Sequence, residues 1–73
     1  MSKEQKTYYR IIALNIRRLR TEGKLSQEKL AERLGCSREF ISRVENQKER
    51  VSLAMLLNIA ELFKVNPSSM FKG

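Results

Sequence analysis

Histidine is absent from this chain, cysteine occurs once and acidic residues are outnumbered almost two to one by basic ones. Without histidine the chain lacks the commonest general base near neutral pH. No glycine-rich phosphate loop, metal-ligand cluster or paired-carboxylate arrangement stands in for it. No enzyme, metal site, cofactor or small-molecule ligand is therefore expected. Cys36 alone can form no internal disulfide, and a free cysteine is most often a small buried apolar group, here in a turn. No apolar run approaches the roughly 20 residues that span a bilayer, and "MSKEQKTYYR" lacks the apolar core of a secretory signal. A cytoplasmic location and no membrane contact are expected.

What is present is a chain of 73 residues, 41% of them hydrophobic, which suits one small domain over residues 1–73 with one modest core. Fifteen Lys and Arg against eight Asp and Glu leave a formal charge of +7, an excess that points to a polyanionic partner. The cations are interleaved with apolar positions from Arg10 to Arg50 and are not gathered in a tail. This distribution favours a folded basic surface over a disordered arm.

The pattern along the chain is helical throughout, with no strand alternation, repeat or low-complexity stretch. Ser2 with Gln5 is a potential capping box and Thr7 a second possible start for a first helix that runs to about Glu22. Ile12, Ala13, Ile16, Leu19 and Arg20 form its inward stripe, and Gly23 stops it. Ile11 and Leu14 lie off the stripe, either covered by Tyr8 and Tyr9 or partly exposed. Ser26 caps a second helix, "QEKLAERL", with Leu30, Ala31 and Leu34 inward. Gly35 ends that helix, Cys36 turns inward, and Ser37 caps a third helix from Arg38 to about Asn46. Ser52 caps a fourth through about Lys64, with Leu53, Leu56, Ile59, Ala60 and Phe63 inward and Val65 continuing the core. Asn66 and Pro67 start a fifth, short helix that is expected to carry Met70 and Phe71 into the core.

The unit from Ser26 to Asn46 is thus helix, glycine-containing turn, helix, with apolar residues at 30, 31, 34, 36, 41 and 44 to fix the angle between the pair. "LSQEKLAERLGCSREFISRVEN" resembles the helix-turn-helix of the phage repressor and Cro family, also found in XRE-like small bacterial regulators. The similarity continues through "SLAMLLNIAELFKVNPSSMF" and covers roughly residues 12–71. The resemblance implies an all-α, compact five-helix, lambda-repressor-like domain that binds double-stranded DNA sequence-specifically, with the third helix in the major groove. No catalytic activity or cofactor is implied.

Ile41, Val44 and Glu45 define the inward edge of the third helix, so Arg38, Glu39, Ser42, Arg43 and Asn46 share its outer arc. On an isolated helix such an arc is often only a solvated face; within this motif it is the expected reading surface. Arg38 and Arg43 can each present paired donors to guanine, Glu39 can accept from cytosine, and Ser42 lies between them. Glu39 has a second reading, as a carboxylate complementing the positive end of the helix. Phe40 either packs against the second helix or touches a thymine methyl or sugar. Gln27 at the start of the second helix, with Ser37, Asn46 and Lys48, matches backbone-contact positions of the family, and Arg17 and Arg50 are further electrostatic candidates. The resemblance also implies a partly buried salt bridge between Arg20 and Glu45.

The pattern departs from the family in one loop, where glycine after the third helix and proline before the fourth are replaced by Gln47 and Val51. A left-handed Gln47 costs about 1–2 kcal/mol relative to glycine, so the third helix is expected either to end at Asn46 or to run on through Lys48. This loop carries Lys48, and Glu49 adds a negative charge near the expected DNA path. Domains of this kind usually act as two-fold dimers, and Met55, Leu57 and Leu62, off the inward stripe of the fourth helix, are candidate homodimer contacts. The length resembles that of restriction-modification controller proteins, with phage repressors and antitoxins as close alternatives. The rival reading is a protein-interaction adaptor or antitoxin that keeps the fold without reading DNA.

Overall fold

The computed structural model describes residues 2–73, which form four α-helices, α1 (Lys3–Glu22), α2 (Gln27–Leu34), α3 (Arg38–Glu45) and α4 (Leu53–Phe63), followed by a 3-10 helix, Pro67–Phe71. The expectation of five α-helices is corrected to four. The segment is only 5 residues long, a length at which the tighter i to i+3 turn is common. No strand occurs among the described residues.

Each helix start follows from its capping residue. Ser2 and Gln5 form a reciprocal capping box, and the Ser26, Ser37 and Ser52 hydroxyls accept from the backbone N–H three residues on. The helix ends share one device. After every α-helix the last carbonyls are closed by a pair of backbone hydrogen bonds: Lys24 to Thr21 with Leu25 to Arg20, Gly35 to Glu32 with Cys36 to Ala31, Gln47 to Val44 with Lys48 to Arg43, and Lys64 to Glu61 with Val65 to Ala60. This is the Schellman arrangement, and it requires one left-handed residue. Those residues are Lys24 (φ 58°), Gly35 (φ 72°), Gln47 (φ 62°) and Lys64 (φ 56°), so only one of the four is glycine. Gly23 is not the left-handed stop; it precedes it, with φ −79°.

In three of these turns the residue after the left-handed position adds packing, which at Lys24 and Lys64 offsets strain that Gly35 does not have. Leu25, Cys36 and Val65 turn back to pack against the core, so each closure adds apolar burial. Lys48 is exposed and adds none. The third helix therefore ends at Glu45, capped by Asn46, and Gln47 adopts the left-handed conformation that its side chain disfavours. Of the two expected alternatives, the helix ends at its cap, Asn46, and does not run on through Lys48, but it does so with the left-handed Gln47 that either alternative would avoid.

The core gathers Ile12 and Ile16 from α1, Leu30 and Ala31 from α2, Ile41 and Val44 from α3, and Leu56 and Ile59 from α4, closed by Val51 and Met70. Helix α2 packs chiefly on α3, while α1 and α4 sandwich the 3-10 helix. Two inward assignments are corrected. Leu53 is 70% exposed, because a side chain in the first helical turn leans back beyond the helix end; Val51 fills the core instead. Phe71 is 41% exposed and meets Tyr8 edge-on at the surface, its ring centroid 6.2 Å away, while Met70 takes the core position. Leu14 is exposed and Ile11 half-buried. Cys36 is half-buried, and burial pushes its thiol up, which favours the protonated form.

The 3-10 helix is held by a residue that periodicity passed over. Asn15, buried in α1, donates from Nδ2 to the Met70 carbonyl at 2.8 Å and to the Lys72 carbonyl at 3.0 Å. Its Oδ1 accepts from Arg18 at 3.4 Å, so every strong hydrogen-bonding atom of the amide is used. Asn15→Ala is expected to cost about 1–3 kcal/mol in chemical denaturation and to speed amide exchange in the 3-10 helix more than elsewhere. Lys64→Gly should raise stability by about 1 kcal/mol in the same measurement, since it relieves left-handed strain without removing a core side chain.

Candidate nucleic-acid interface

The interface is organised around a carboxylate that solvent does not reach. The side chain of Glu45 is 0% exposed, on the inward edge of α3. Its Oε2 accepts from Arg20 Nε at 2.7 Å, and its Oε1 accepts from Arg20 Nη2 at 3.1 Å, Gln27 Nε2 at 3.1 Å and Arg17 Nε at 3.4 Å. Arg20 also donates from Nη1 to the Leu25 carbonyl at 2.8 Å, which ties the turn between α1 and α2 to the same cluster. One carboxylate thus joins α1, α2 and α3. Burial by itself pushes the Glu45 carboxyl up, but hydrogen bonds from Arg20 and Gln27, the Arg20 charge and the Arg17 contact outweigh it. Together they hold it below the ordinary glutamate range.

The cluster also orients two of the backbone-contact candidates. Gln27 must turn its NH2 toward the carboxylate, since its amide oxygen would be repelled there, and the second N–H of that group is left over. Arg17 uses only Nε, and its side chain is 46% exposed. At the start of α3 the Ser37 oxygen accepts from Phe40 N at 3.1 Å, which leaves its hydroxyl proton able to donate. Gln27 and Ser37 thereby occupy the beginnings of α2 and α3, where backbone N–H groups and the helix dipole favour an anion.

The outer arc of α3 carries Arg38, Glu39 and Arg43, all exposed, with Ser42 half-buried among them. Arg38 Nη2 lies 3.5 Å from Glu39 Oε2, and Arg43 Nε lies 3.2 Å from Glu49 Oε1. Asn46 Nδ2 donates to Ser42 Oγ at 3.3 Å. Phe40 packs against the core, in keeping with the first of its two readings. Lys48 is exposed beyond the Gln47 turn. Arg50 lies 5.5 Å over the ring of Tyr9, a cation–π contact with α1.

This arrangement, a short helix fixed by a glycine turn to a second helix with a basic exposed arc, matches known proteins across most of the chain. A helix-turn-helix family model covers residues 16–69. The chain belongs to the XRE-like helix-turn-helix family. It is 41% identical over 51 residues to control protein C.SmaI of Serratia marcescens, an alignment that takes in 70% of this chain and 61% of that protein. The chain therefore spans about six-tenths of the length of this curated relative. Among solved structures it resembles the restriction-modification controller protein C.AhdI of Aeromonas hydrophila, with a TM-score of 0.80 and 32% identity over 90% of this chain and 96% of that one. It also resembles the hypothetical transcription factor NHTF of Neisseria, with a TM-score of 0.83 and 26% identity over 89% of this chain and 73% of that one. The family is one of DNA-binding regulators, and the expected compact all-helical architecture with a helix-turn-helix is found, with four α-helices in place of five.

Two features of the site were not anticipated. Arg17 and Gln27, expected only as backbone contacts, are also ligands of the Glu45 carboxylate. Glu49, expected only as an unfavourable charge, is paired with Arg43. The spacing of Arg17 and Arg20, three apart on one helix face, was the available signal for the first; none existed for the second, which depends on the loop conformation. Of the candidate dimer contacts on α4, Met55 and Leu62 are half-buried against the core and Leu57 is 45% exposed. Among the described residues no helix is long and apolar enough to cross a membrane.

Removing one partner of the buried pair leaves the other charge uncompensated, so Arg20→Ala should destabilise the fold by about 3–5 kcal/mol in thermal or chemical denaturation. Because the folded carboxyl is held below the unfolded value of about 4.3, the contribution of Glu45 is full above that pH and is lost as pH falls through the folded value. The stability gap between wild type and Glu45→Gln should therefore narrow on acidification below about pH 4.3.

Proposed function

We propose that this protein is a sequence-specific transcriptional regulator that binds a palindromic operator as a homodimer, with α3 lying in the major groove of each half-site. The observation that carries the reading is the outer arc of exposed Arg38, Glu39 and Arg43, with Ser42 half-buried among them, on the second helix of the helix-turn-helix. Arginines supply paired donors for guanine O6 and N7, Glu39 an acceptor for cytosine N4, and Ser42 a short group able to serve either. Gln27, Ser37 and Asn46 bind the flanking phosphates, with Arg17, Lys48 and Arg50 adding positive charge. These contacts set register and affinity, and the arc sets sequence. The formal charge of +7 supports the electrostatic part of the interaction.

One half-site read by a helix of eight residues is a small interface, and doubling it by two-fold symmetry supplies affinity and specificity together. On α4 the exposed apolar Leu57 stands one turn after Leu53, and with the outer edges of Met55 and Leu62 they form the self-complementary surface of the dimer. The likeness to control protein C.SmaI and the controller C.AhdI supports a role in controlling expression of a restriction-modification system.

Selection of bound sequences from a random duplex pool should return a palindrome with half-sites about one helical turn apart, and Arg43→Ala should relax one base pair of each half-site by about 1–3 kcal/mol. With about six phosphates neutralised per half-site, the logarithm of affinity should fall against that of salt with a slope near −5 per half-site. Equal affinity for the selected palindrome and random duplex would overturn the reading in favour of a protein-binding module. A selected site without two-fold symmetry would overturn the dimer.

A further inference from the structure

The loop after α3 turns back on the helix. Gln47 takes a left-handed conformation at φ 62°, and the Lys48 N–H donates to the Arg43 carbonyl at 2.8 Å. Unlike the corresponding turns after α1, α2 and α4, this one is closed by a residue that stays exposed, Lys48, and the chain rejoins the core only at Val51, three residues further on. Its product is a charged contact: Glu49, six residues after Arg43, returns beside it, with Oε1 accepting from Nε at 3.2 Å. The residue that closes the strained turn at Gln47 thus adds no burial of its own, and the side chain returned beside the arc is Glu49.

The atom used by this contact matters. A guanidinium gripped at Nε keeps both terminal nitrogens unoccupied, and these form the parallel pair of donors that guanine O6 and N7 accept. The neighbouring Arg38 differs, because its contact with Glu39 runs through a terminal nitrogen, Nη2, at 3.5 Å. We infer that Glu49 is a positioning residue for Arg43, holding its guanidinium by Nε so that the terminal nitrogens are pre-oriented for a guanine edge. This inference rests on α3 being the reading helix. A second effect follows from the charge. When Arg43 rests on a phosphate instead of a base, the carboxylate attached to it is carried toward the backbone and repelled. Glu49 therefore favours base contact over phosphate contact and raises discrimination more than affinity.

The test compares wild type, Arg43→Ala, Glu49→Ala and Glu49→Gln on the selected operator, on its variants at the base pair whose preference Arg43→Ala loses, and on random duplex. Thermal melts confirm that each variant is folded. Glu49→Ala should weaken the preference for guanine at that base pair while strengthening binding to random duplex, each by about two- to fivefold, the range of an exposed charge pair. Its salt slope on random duplex should be steeper by up to about 0.9, equivalent to one more phosphate neutralised. Glu49→Gln, which keeps an acceptor for Nε but no charge, should reproduce the gain on random duplex and retain more of the guanine preference. An unchanged preference at that base pair in Glu49→Ala, or equal weakening on every duplex, would overturn the positioning role while leaving α3 as the reading helix. If Arg43→Ala alters preference at no base pair, the assignment of Arg43 to base reading fails first, and the role of Glu49 with it.

Discussion

The Glu45 carboxylate is the point on which the arrangement depends. A buried charge is tolerable only when its oxygens are saturated by well-placed donors. Here the four donor atoms come from Arg17, Arg20 and Gln27, on two other helices. Satisfying the carboxylate therefore fixes α1 and α2 relative to α3, and the second grip of Arg20 on the Leu25 carbonyl fixes the intervening turn. Because Gln27 and Arg17 belong to the same cluster, the network that holds the fold also holds the surface beside α3. An apolar replacement of similar volume could fill the space, but it could not orient an amide and a guanidinium outward.

The helix ends show a second economy. Four Schellman closures end four helices, yet only Gly35 meets the left-handed requirement without a steric cost. At Lys24 and Lys64 the turn returns Leu25 and Val65 to the core, and burial offsets strain of similar size. Gly35 stands within the helix-turn-helix itself, where the angle between α2 and α3 is set, and a strained residue there would place the exposed arc at risk. At Gln47 the closing residue, Lys48, stays exposed, and before the chain rejoins the core at Val51 the turn delivers the pairing of Arg43 with Glu49.

Much of this architecture is legible in the sequence. Serines followed by helical apolar spacing locate the starts of α2, α3 and α4, the start of α1 is open between Ser2 and Thr7, and the turn between α2 and α3 follows from Gly35 and Ser37. The Arg20 and Glu45 pair was expected from resemblance and is present, with Glu45 fully buried. The misreadings lie at element ends. Periodicity assigns Leu53 and Phe71 to the apolar faces of their helices, but at a terminus no neighbouring turn or element covers the side chain. Asn15 escaped notice for the opposite reason: polar residues read as outward, and its partners are carbonyls more than fifty residues away.

The sequence by itself determined the local choices: where helices begin, which faces are apolar, which short helix carries an exposed basic arc, and the excess of positive charge. These depend on interactions within about four residues, or on sums over composition, and so are legible in one dimension. Only the tertiary structure decided which polar groups meet. That Glu45 gathers Arg17 with Arg20 and Gln27, that Asn15 holds the 3-10 helix, and that Glu49 grips Arg43 by Nε all depend on distances across elements or around a strained turn. Hydrogen bonds are short and directional, so a small change in helix angle or loop path breaks them, and no periodicity records the outcome.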